Sequence, residues 1–539
     1  MKHEKINKVL VTGSAGTVGN YIVQNLLNSG YEVRGVDIRP TPTNEFSNTP
    51  TDKLEIVTGD LTDKEFARKV VEGVDAVIHT AALLDIALSY KELAPLNVMA
   101  VRYLYESAKS NNVKVFVHFS SGSIYSPEGI LVTEETPIRT KSPYEQTKAE
   151  SEDLLRVLGT DRKVPFVILR PGLIYGPRGR FLANGFSAVP AIFKYLLGNK
   201  VPRLEGGPKT NLVHAEDVAR AAQFLMETPS SWGREYNIAD KTILSFGEIV
   251  TTNLLAYGLK CSYRIPVPPP DYTKPLKPVL DTDYFFKIIN MPLDFAWSRL
   301  CNEFGIQPYL KPKLDRETAP YMFHNVIFST ERLSRLGFEF LHEDYRKSLP
   351  EVMNWYIAHR WIPANEEIPP AGGLIPRIGL KFSEKMSGNY KLLKEASTDT
   401  HEPIPAQFSS NGKELPIEFE IDAVAPRIER FFFNPTTKIR GNLYMEGMGN
   451  HHIPIEGTLD IPLLTRRKII YNFRFKSNDG KEYRFSGEKN IKFLQLIDTF
   501  TTLPGKITDI HGKEVASATL HFNLRRDFIP FIRSFSLTR

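Results

Sequence analysis

The sequence predicts an α/β protein: a doubly wound parallel sheet with a small substrate subdomain, followed by a separate antiparallel β domain that is either a barrel or a sandwich. Short β-branched runs alternate with helical stretches up to residue 240, which predicts parallel strands with helices on both faces. A glycine-rich turn follows the first run. Beyond residue 375 the hydrophobic period changes to two, as in antiparallel strands with one wet and one dry face.

Composition excludes several classes of protein. The chain has 539 residues, of which 42% are hydrophobic and 24% charged, as in globular proteins of several domains. The 68 basic and 62 acidic side chains give a net charge of +6 without a strongly basic region, so we expect no nucleic-acid partner. Two cysteines are too few for a disulfide framework, and we expect no metal. Without a signal-peptide pattern or an apolar run of ~18 residues, we expect a cytoplasmic protein.

Six short runs are predicted to form the parallel sheet. They are Lys8–Thr12, Glu32–Asp37, Leu54–Gly59, Asp75–Thr80, Lys114–Ser120 and Pro165–Arg170. A stretch rich in Pro and aromatic residues, 260–325, interrupts the alternation, and we interpret it as an irregular subdomain or lid. The predicted divisions are a first domain 1–360, with its substrate-binding parts mainly in 171–215 and 240–330, a linker 361–374, and a β domain 375–539.

The predicted β domain alternates apolar and polar residues along three runs. The apolar members are Ile417, Phe419, Ile421 and Ala423, then Ile469, Tyr471, Phe473 and Phe475, then Ala518, Leu520, Phe522 and Leu524. Asp479-Gly480 follows the second run and is a pair typical of hairpin turns.

The glycine-rich turn TGSAGTVG lies between the first strand and a helical segment. Its glycines Gly13, Gly16 and Gly19 let a backbone turn tightly and approach a pyrophosphate at a helix N-terminus. Asp37 stands 24 residues past Gly13 at the end of the second strand, where a carboxylate accepts hydrogen bonds from ribose hydroxyls. This pattern predicts NAD in preference to NADP, although Arg39 leaves NADP open.

A tyrosine followed four residues later by a lysine places both on one helix face, where the cation can lower the tyrosine pKa. The chain has four such pairs: Tyr105/Lys109, Tyr144/Lys148, Tyr309/Lys313 and Tyr390/Lys394. Only Tyr144/Lys148 follows a strand ending in serines and precedes a further strand ending in Arg-Pro-Gly. We therefore predict Tyr144 and Lys148 as the catalytic pair.

At these residues the first 360 positions resemble an extended short-chain dehydrogenase/reductase of the NAD-dependent epimerase/dehydratase superfamily. The matching motifs, in family order, are TGSAGTVG, Asp37, GDL at 59–61, HTAA at 79–82, NVMAV at 97–101, FSSGSIY at 119–125, SPYEQTK at 142–148, RPGLIYGP at 170–177 and LVHAEDVA at 212–219. The resemblance implies a Rossmann domain and the cofactor NAD, with Asp60 and Leu61 at the adenine and Pro171 at the nicotinamide. The other residues that it implies for the cofactor are Ala15, Thr17, Val18, Ile38, Thr80, Ala81, Ala82, Ser120 and Gly172.

The resemblance also implies a catalytic serine four residues before Tyr125. That residue is Ser121, and Ser123 is the rival because the local motif departs from the commonest form. The implied mechanism is hydride exchange with the nicotinamide, with Tyr144 as proton donor or acceptor, Lys148 on the cofactor ribose and Ser121 on the reacting oxygen. His79, His118 and His214 lie at strand ends without mutual ligand spacing, and we interpret them as structural or cofactor-lining.

The substrate is predicted to be a small apolar molecule. Sugar-nucleotide members of the superfamily carry an arginine where this chain has Thr210-Asn211, although Arg178 and Arg180 offer partial substitutes. TAALLD, IPVPPP and the apolar insertion are similar to the 3β-hydroxysteroid dehydrogenase branch. Whichever substrate the site takes, Leu83, Ser123 and Arg178 are the residues expected to bind it. A sugar-nucleotide epimerase or dehydratase and a non-catalytic NAD-sensing or scaffolding protein stay open as alternatives.

Two features leave the partners open. Aromatic residues of the insertion suit an apolar substrate, a peripheral membrane contact or the core of a subdomain; they are Tyr284, Phe285, Phe286, Phe295 and Trp297. The β domain resembles, through segments such as HHIPIEGTLDIPL and RRDFIPFIRSF, a module appended to cholesterol-oxidase-like flavoenzymes and some lipid hydrolases. Its predicted role is ligand or partner binding, or shielding, and a homodimer is left open.

Overall fold

A computed structural model gives the architecture. It describes residues 5–43, 49–84, 88–125, 131–180, 182–199, 201–267, 269, 283–310, 312–313, 321, 324–370, 379–393, 414–425, 436–448, 452–462, 468–478, 480–491 and 496–538. The chain divides into two compact units, the first formed by residues 1–270 and 293–370 and the second by residues 271–292 and 371–539. Among the described residues, no helix is both long and apolar enough to cross a membrane.

A seven-stranded parallel sheet forms the centre of the first unit. Its strands are β1 Lys8–Thr12, β2 Glu32–Asp37, β3 Leu54–Thr58, β4 Ala76–His79, β5 Val115–Phe119, β7 Phe166–Pro171 and β11 Glu235–Ile238. They lie in the order β3-β2-β1-β4-β5-β7-β11, so the strand order reverses between β1 and β4. The six predicted strands and the doubly wound topology are confirmed. The central strands β1, β4, β5 and β7 are buried and almost continuously apolar, whereas the edge strand β3 is largely exposed.

Three smaller sheets complete the strands of the first unit. They pair β6 Leu131–Val132 with β14 Ile327–Phe328, β9 Val201–Gly206 with β13 Cys261–Val267, and β10 Lys209–His214 with both β8 Leu173–Tyr175 and β12 Ile243–Ser245. The helices up to residue 260 are α1 Thr17–Asn28, α2 Lys64–Lys69, α3 Tyr90–Ala94, α4 Ala100–Ser110, α5 Pro143–Leu158, α6 Val189–Leu197, α7 Ala215–Glu227 and α8 Phe246–Ala256. The next three are α9 Asp283–Phe304, α10 Glu331–Ser334 and α11 Tyr345–Ala358.

The interpretation of 260–325 as irregular was wrong for two of its segments. β13 adds a parallel strand to β9, and α9 is a helix of 22 residues that continues through Pro292. Its apolar residues recur at helical spacing, a signal that the neighbouring prolines obscured. Phe286 and Trp297 are buried and Phe295 is exposed, so two of the aromatic rings serve packing. The side chains of Tyr284 and Phe285 lie outside the described residues.

The second unit contains a closed barrel of eight antiparallel strands. They are β15 Gly379–Leu392, β16 Leu415–Ala425, β17 Thr436–Met445, β18 Ile453–Asp460, β19 Lys468–Lys476, β20 Glu482–Asn490, β21 Thr502–Asp509 and β22 Glu514–His521. Each pairs with the next and β22 pairs back with β15. The short strand β23 Ser536–Thr538 adds to β15, and two helices, α12 Leu496–Thr501 and α13 Phe528–Ser534, accompany the strands.

The predicted alternation of apolar and polar residues determines which side chains face the interior of the barrel. The apolar members of the first two runs are buried, as are Ala518 and Leu520, whereas β22 ends before Phe522 and Leu524. β19 and β20 pair as a hairpin; Gly480 has φ +81°, and Asp479 lies outside the described residues. The interior also holds a buried polar cluster, in which Glu384 accepts hydrogen bonds from Lys489 Nζ (3.0 Å) and the Tyr471 hydroxyl (2.8 Å).

Candidate active site

The carboxyl ends of β1, β2, β4, β5 and β7 share one edge of the parallel sheet. Because the strand order reverses between β1 and β4, a crevice is expected at this edge, which is where ligands bind in open α/β sheets. The glycine turn after β1, Asp37 at the end of β2 and the serines after β5 all lie along this edge.

At two positions of the glycine turn, Gly13 and Gly19, the structure leaves no room for a side chain. Gly13 has φ +71°, and a Cβ there would lie 2.6 Å from Thr80 Oγ1 and 2.9 Å from the Ala81 nitrogen. A Cβ on Gly19 would lie 2.1 Å from the Gly13 carbonyl oxygen. The backbone of the turn therefore packs directly on α1 and on the residues that follow β4, and this close approach fits a pyrophosphate cradle.

The N-terminus of α1 faces the same turn. Gly16 is its N-cap and provides no side-chain hydrogen bond, and the first turn, which includes Thr17 and Val18, carries no acidic residue. The first backbone N–H groups of a twelve-residue helix are thus available to an anion. These features fit the diphosphate of NAD.

Asp37 is held in place at the ribose end of this cradle. Its Oδ2 accepts a hydrogen bond from the Ala15 N–H (3.1 Å), its Oδ1 accepts one from the Arg39 N–H (3.0 Å), and the Arg39 Nε lies 3.8 Å from Oδ1. Arg39 is therefore paired with the carboxylate that is expected to meet the ribose, and Ile38 beside it is 67% exposed.

We predict that Gly19→Ala weakens NAD binding by about tenfold or more, because the added methyl group would displace the Gly13 carbonyl and distort the cradle. Titration calorimetry measures the effect. Gly30→Ala is the control, since Gly30 lies in the turn after α1, has φ +87° and has open space around a Cβ, so its substitution strains the backbone outside the cradle. Equal losses of NAD affinity in the two variants would contradict the steric explanation.

The remaining residues predicted for the cofactor lie near the same edge. The Thr80 hydroxyl donates to the Thr12 carbonyl (2.7 Å), and the Ala81 N–H donates to Thr12 Oγ1 (3.4 Å). Asp60 caps the following turn, and Leu61 is buried in the core. The others, Ala82, Ser120, Pro171 and Gly172, stand at or just after the ends of β4, β5 and β7.

Local capping fixes where α5 begins and hence where Tyr144 lies. Ser142 accepts a hydrogen bond from the Glu145 N–H (3.2 Å), Glu145 accepts from the Ser142 N–H (3.1 Å), and Pro143 occupies the first helical position. Tyr144 is therefore in the first turn, 8% exposed, and Lys148 follows one turn later on the same face.

Lys148 is a buried cation. It is 3% exposed, and its Nζ donates to the Phe119 carbonyl at the end of β5 (2.8 Å). Burial lowers the pKa of Lys148 to about 8, against the opposing effect of the Glu152 carboxylate. The ammonium thus lies between α5 and the end of β5, which the two predicted serines follow.

We predict a pH dependence of stability from Lys148. Its folded-state pKa is depressed, so above about pH 8 the unfolded chain binds more protons than the folded chain, and folding becomes more favourable as pH rises. Relative to Lys148→Met, the wild-type protein should gain roughly 1–2 kcal/mol between pH 7 and 9.5. Urea unfolding at several pH values measures this difference; a difference that is constant or falls with pH would contradict the assignment.

Ser121 and Ser123 are brought together. Ser121 Oγ lies 2.9 Å from Ser123 Oγ and accepts a hydrogen bond from the Ser123 N–H (3.2 Å), capping the short 3-10 turn Gly122–Ile124. This turn packs against α5. The two hydroxyls therefore form one hydrogen-bonded pair.

Two of the other Tyr/Lys pairs serve packing. Tyr105 is fully buried on α4 and donates to the Val164 carbonyl, while Lys109 donates to the Leu158 carbonyl. Tyr309 follows α9 outside any helix, and its ring lies 4.9 Å from that of Trp361. Tyr390 is in β15, and Lys394 lies outside the described residues.

The strand-end histidines near Lys148 are neutral. Burial, together with the Lys148 charge, lowers the pKa of His79 to about 3 and that of His118 well below its usual value. Their rings stack at 5.7 Å, and they bond Thr12 Oγ1 (2.7 Å) and Ser151 Oγ (2.9 Å) respectively. Burial likewise lowers the pKa of His214 to about 3.

Sequence reasoning did not assign a role to Asn97. This residue lies in a π-helical turn, Pro95–Met99, and is 1% exposed. Its amide accepts from the Leu83 N–H (2.8 Å) and donates to the Leu83 carbonyl and to Thr147 Oγ1 (both 3.1 Å). Asn97 therefore ties the loop after β4 to the helix of Tyr144 and Lys148. The sequence signal for this residue was the motif NVMAV at 97–101, which begins with Asn97.

The buried ion pair of Glu152 and Arg170 was also missed. Arg170 Nε and Nη2 donate to the two oxygens of Glu152 at 2.8 and 2.5 Å, and Arg170 Nη1 donates to the Tyr125 hydroxyl (2.7 Å). Burial raises the pKa of Glu152, but the hydrogen bonds and charge of Arg170 outweigh it and lower the value. Glu152 lies one turn beyond Lys148, so this pair anchors α5 to β7.

The predicted substrate residues Leu83, Ser123 and Arg178 lie in the segments that follow β4, β5 and β8. Leu83 is 39% exposed, and Arg178 is half-buried with its guanidinium 5.7 Å from the Trp355 ring. Arg180 lies over Tyr309 (4.6 Å) and Trp361 (5.7 Å). Two cationic groups are thus held against aromatic rings in the loop after β8.

Sequence comparisons with known proteins identify relatives that match the part of the chain containing these residues. A family model described as "NAD dependent epimerase/dehydratase family" matches residues 9–239. "Uncharacterized UDP-glucose epimerase YtcB" of Bacillus subtilis is 32% identical over 32% of this chain, but the match spans only 58% of that protein. "3-beta-hydroxysteroid dehydrogenase" of Mycolicibacterium neoaurum is 28% identical over 47% of this chain and 71% of its own length. "UDP-glucose 4-epimerase" of Mycolicibacterium smegmatis is 30% identical over 47% and 83%.

Proposed function

The chain belongs to the NAD-dependent epimerase/dehydratase family, and from this premise we propose that it interconverts a secondary alcohol and a ketone on a sterol-like or lipid-like substrate. The observation that carries the reaction type is the placement of Tyr144 and Lys148 on one face of α5, beside the strand that carries Ser121. NAD is the family's cofactor, and its nicotinamide supplies the hydride acceptor or donor.

In this proposal Tyr144 exchanges a proton with the substrate hydroxyl, and its phenolate is stabilised by the Lys148 ammonium. Ser121 donates a hydrogen bond to the reacting oxygen, and Ser123 orients the Ser121 hydroxyl from 2.9 Å. Asn97 and the pair of Glu152 with Arg170 hold α5 in place against the sheet. Asp37 accepts hydrogen bonds from the adenosine ribose.

The burial of Thr210 and Asn211 supports an apolar substrate. These residues stand where sugar-nucleotide members carry a diphosphate-binding arginine, and they are 1% and 3% exposed. The Asn211 amide donates to the Asp240 carbonyl (2.9 Å) and the Phe328 carbonyl (3.0 Å) and accepts from the Phe328 N–H (2.9 Å). Both side chains are committed to the fold, so neither is available to a diphosphate.

A sugar-nucleotide epimerase or dehydratase is the second candidate. It is favoured by Arg178 and Arg180, which place two guanidinium groups in the loop after β8, where a diphosphate would find positive charge. The relatives are divided in the same way, since both a 3β-hydroxysteroid dehydrogenase and UDP-glucose epimerases match.

Thermal protection separates the two candidates. With NAD present, a 3β-hydroxysteroid or a long-chain 3-hydroxy acid should raise the melting temperature, whereas UDP-glucose and dTDP-glucose should not. Arg180→Gln is the control, because Arg180 is not among the residues expected at the substrate and its loss should leave steroid protection unchanged. Protection by UDP-glucose alone, abolished in Arg180→Gln, would overturn the proposal in favour of the second candidate.

A further inference from the structure

Three side chains with metal-binding groups converge in the first unit of the chain. His214 ends β10, Glu216 lies in the first turn of α7, and His342 lies three residues before α11 begins. One ring nitrogen of each histidine and one oxygen of Glu216 all lie within 4.8 Å of one another. The His342 Nε2 and a Glu216 oxygen are 3.0 Å apart, and the two imidazole rings are centred 3.9 Å apart.

The surroundings hold His342 in a fixed orientation. The Leu341 and His342 N–H groups both donate to the Asp217 carboxylate at 2.7 Å, and Asp217 is fully buried. The other ring nitrogen of His342 lies 3.2 Å from Ser348 Oγ. A ligating histidine commonly bonds an oxygen through its second nitrogen, which fixes its tautomer and ring plane.

We propose that His214, Glu216 and His342 form a binding site for a divalent transition-metal ion of the zinc type. Two imidazoles and one carboxylate are a donor set that Zn²⁺ accepts, with bonds of about 2.0–2.2 Å and water completing the tetrahedron. Such ligands stand about 3.3 Å apart. The 3.0 Å contact between His342 and Glu216 is a hydrogen bond that the ion would replace. A ring nitrogen of His214 lies within 4.8 Å of both ligand atoms, and the two imidazole rings would move apart from their 3.9 Å packing to complete the ligand set.

The site has a route for the ion and a structural consequence. Glu216 and His342 are half-buried, whereas His214 is 4% exposed and has the Tyr175 ring against it at 5.2 Å. The ion would reach the half-buried Glu216 and His342 first and the buried His214 last. It would link the start of α7 to the segment that leads into α11, whose Tyr356 hydroxyl bonds the Gly176 and Gly179 carbonyls beside Arg178. The metal would therefore stabilise α11, and α11 in turn holds the loop after β8 through Tyr356.

Calorimetric titration of the metal-stripped full chain with ZnCl₂ tests the proposal. We expect one equivalent to bind, and the melting temperature to rise by about 5 °C at a hundredfold excess over Kd. Glu216→Gln and His342→Gln should each weaken binding by about a hundredfold, and Ser348→Ala by about tenfold. His359→Gln, which alters the exposed histidine that follows α11, should leave binding unchanged.

Binding that is absent, or equally tight in the His342→Gln variant, would overturn the proposal. Comparing the melting temperatures of the metal-free variants with that of the wild type confirms that they fold. If a variant does not fold, the visible spectrum of the Co²⁺-loaded wild-type protein decides. Tetrahedral nitrogen and oxygen ligation supports the site, and a thiolate charge-transfer band, which would place the ion on Cys261 or Cys301, contradicts it.

Discussion

Tyr144→Phe is expected to lower kcat by ~10²–10⁴-fold while leaving NAD affinity within about twofold of wild type. The variant keeps the ring, which is 8% exposed in the first turn of α5, and removes only the hydroxyl that exchanges the substrate proton. Lys148 stays hydrogen-bonded to the Phe119 carbonyl, so the electrostatics of the site are retained. Steady-state kinetics and calorimetry with NAD measure the two quantities.

Tyr90→Phe is the matched control. The Tyr90 hydroxyl donates to Glu150 on the exposed face of the same helix, 2.6 Å away, and its loss should leave kcat unchanged. Turnover that persists in Tyr144→Phe would show that another group transfers the proton. A parallel fall of kcat in Tyr90→Phe would show that α5 responds to any lost hydroxyl.

Glu152→Gln is expected to destabilise the protein by roughly 3 kcal/mol and to lower the melting temperature by about 6 °C or more. Arg170 is 2% exposed and Glu152 is fully buried, so the substitution leaves a buried guanidinium without its counter-charge. Because Glu152 also raises the pKa of Lys148, its loss should lower that pKa further. Urea and thermal unfolding measure the stability change.

Glu150→Gln, two residues earlier and exposed, controls for substitution on the same helix and should change the melting temperature by less than about 2 °C. The double variant Glu152→Leu with Arg170→Met should recover part of the stability, since it removes both buried charges together. Equal stability of Glu152→Gln and the wild type would contradict the anchoring role of the pair.

Local signals were sufficient for most of the fold. The glycines between β1 and α1, the carboxylate ending β2 and the capping sequence Ser-Pro-Tyr-Glu at the start of α5 each act over a few residues. The period of two beyond residue 375 predicted the antiparallel strands, but closure into a barrel depends on the pairing of β22 with β15, which no local pattern encodes.

The contacts that join distant segments were not predictable in this way. Glu152 meets Arg170 across 18 residues, and His342 meets His214 across 128, so neither pairing has a sequence spacing to recognise. The stretch 260–325 misled because prolines next to α9 are turn signals, whereas the helix itself is stabilised by burying Phe286 and Trp297. Tertiary packing decided these cases over local propensity.

Release of NADH tests the proposed reaction most directly. The full-length protein with NAD and a 3β-hydroxysteroid should produce the near-ultraviolet absorbance of free NADH, and the Tyr144→Phe variant should not. An epimerase returns its hydride to the substrate and accumulates no free NADH. Conversion of UDP-glucose without NADH release, together with no NADH from any apolar alcohol, would contradict the proposal that this site oxidises a sterol-like or lipid-like alcohol.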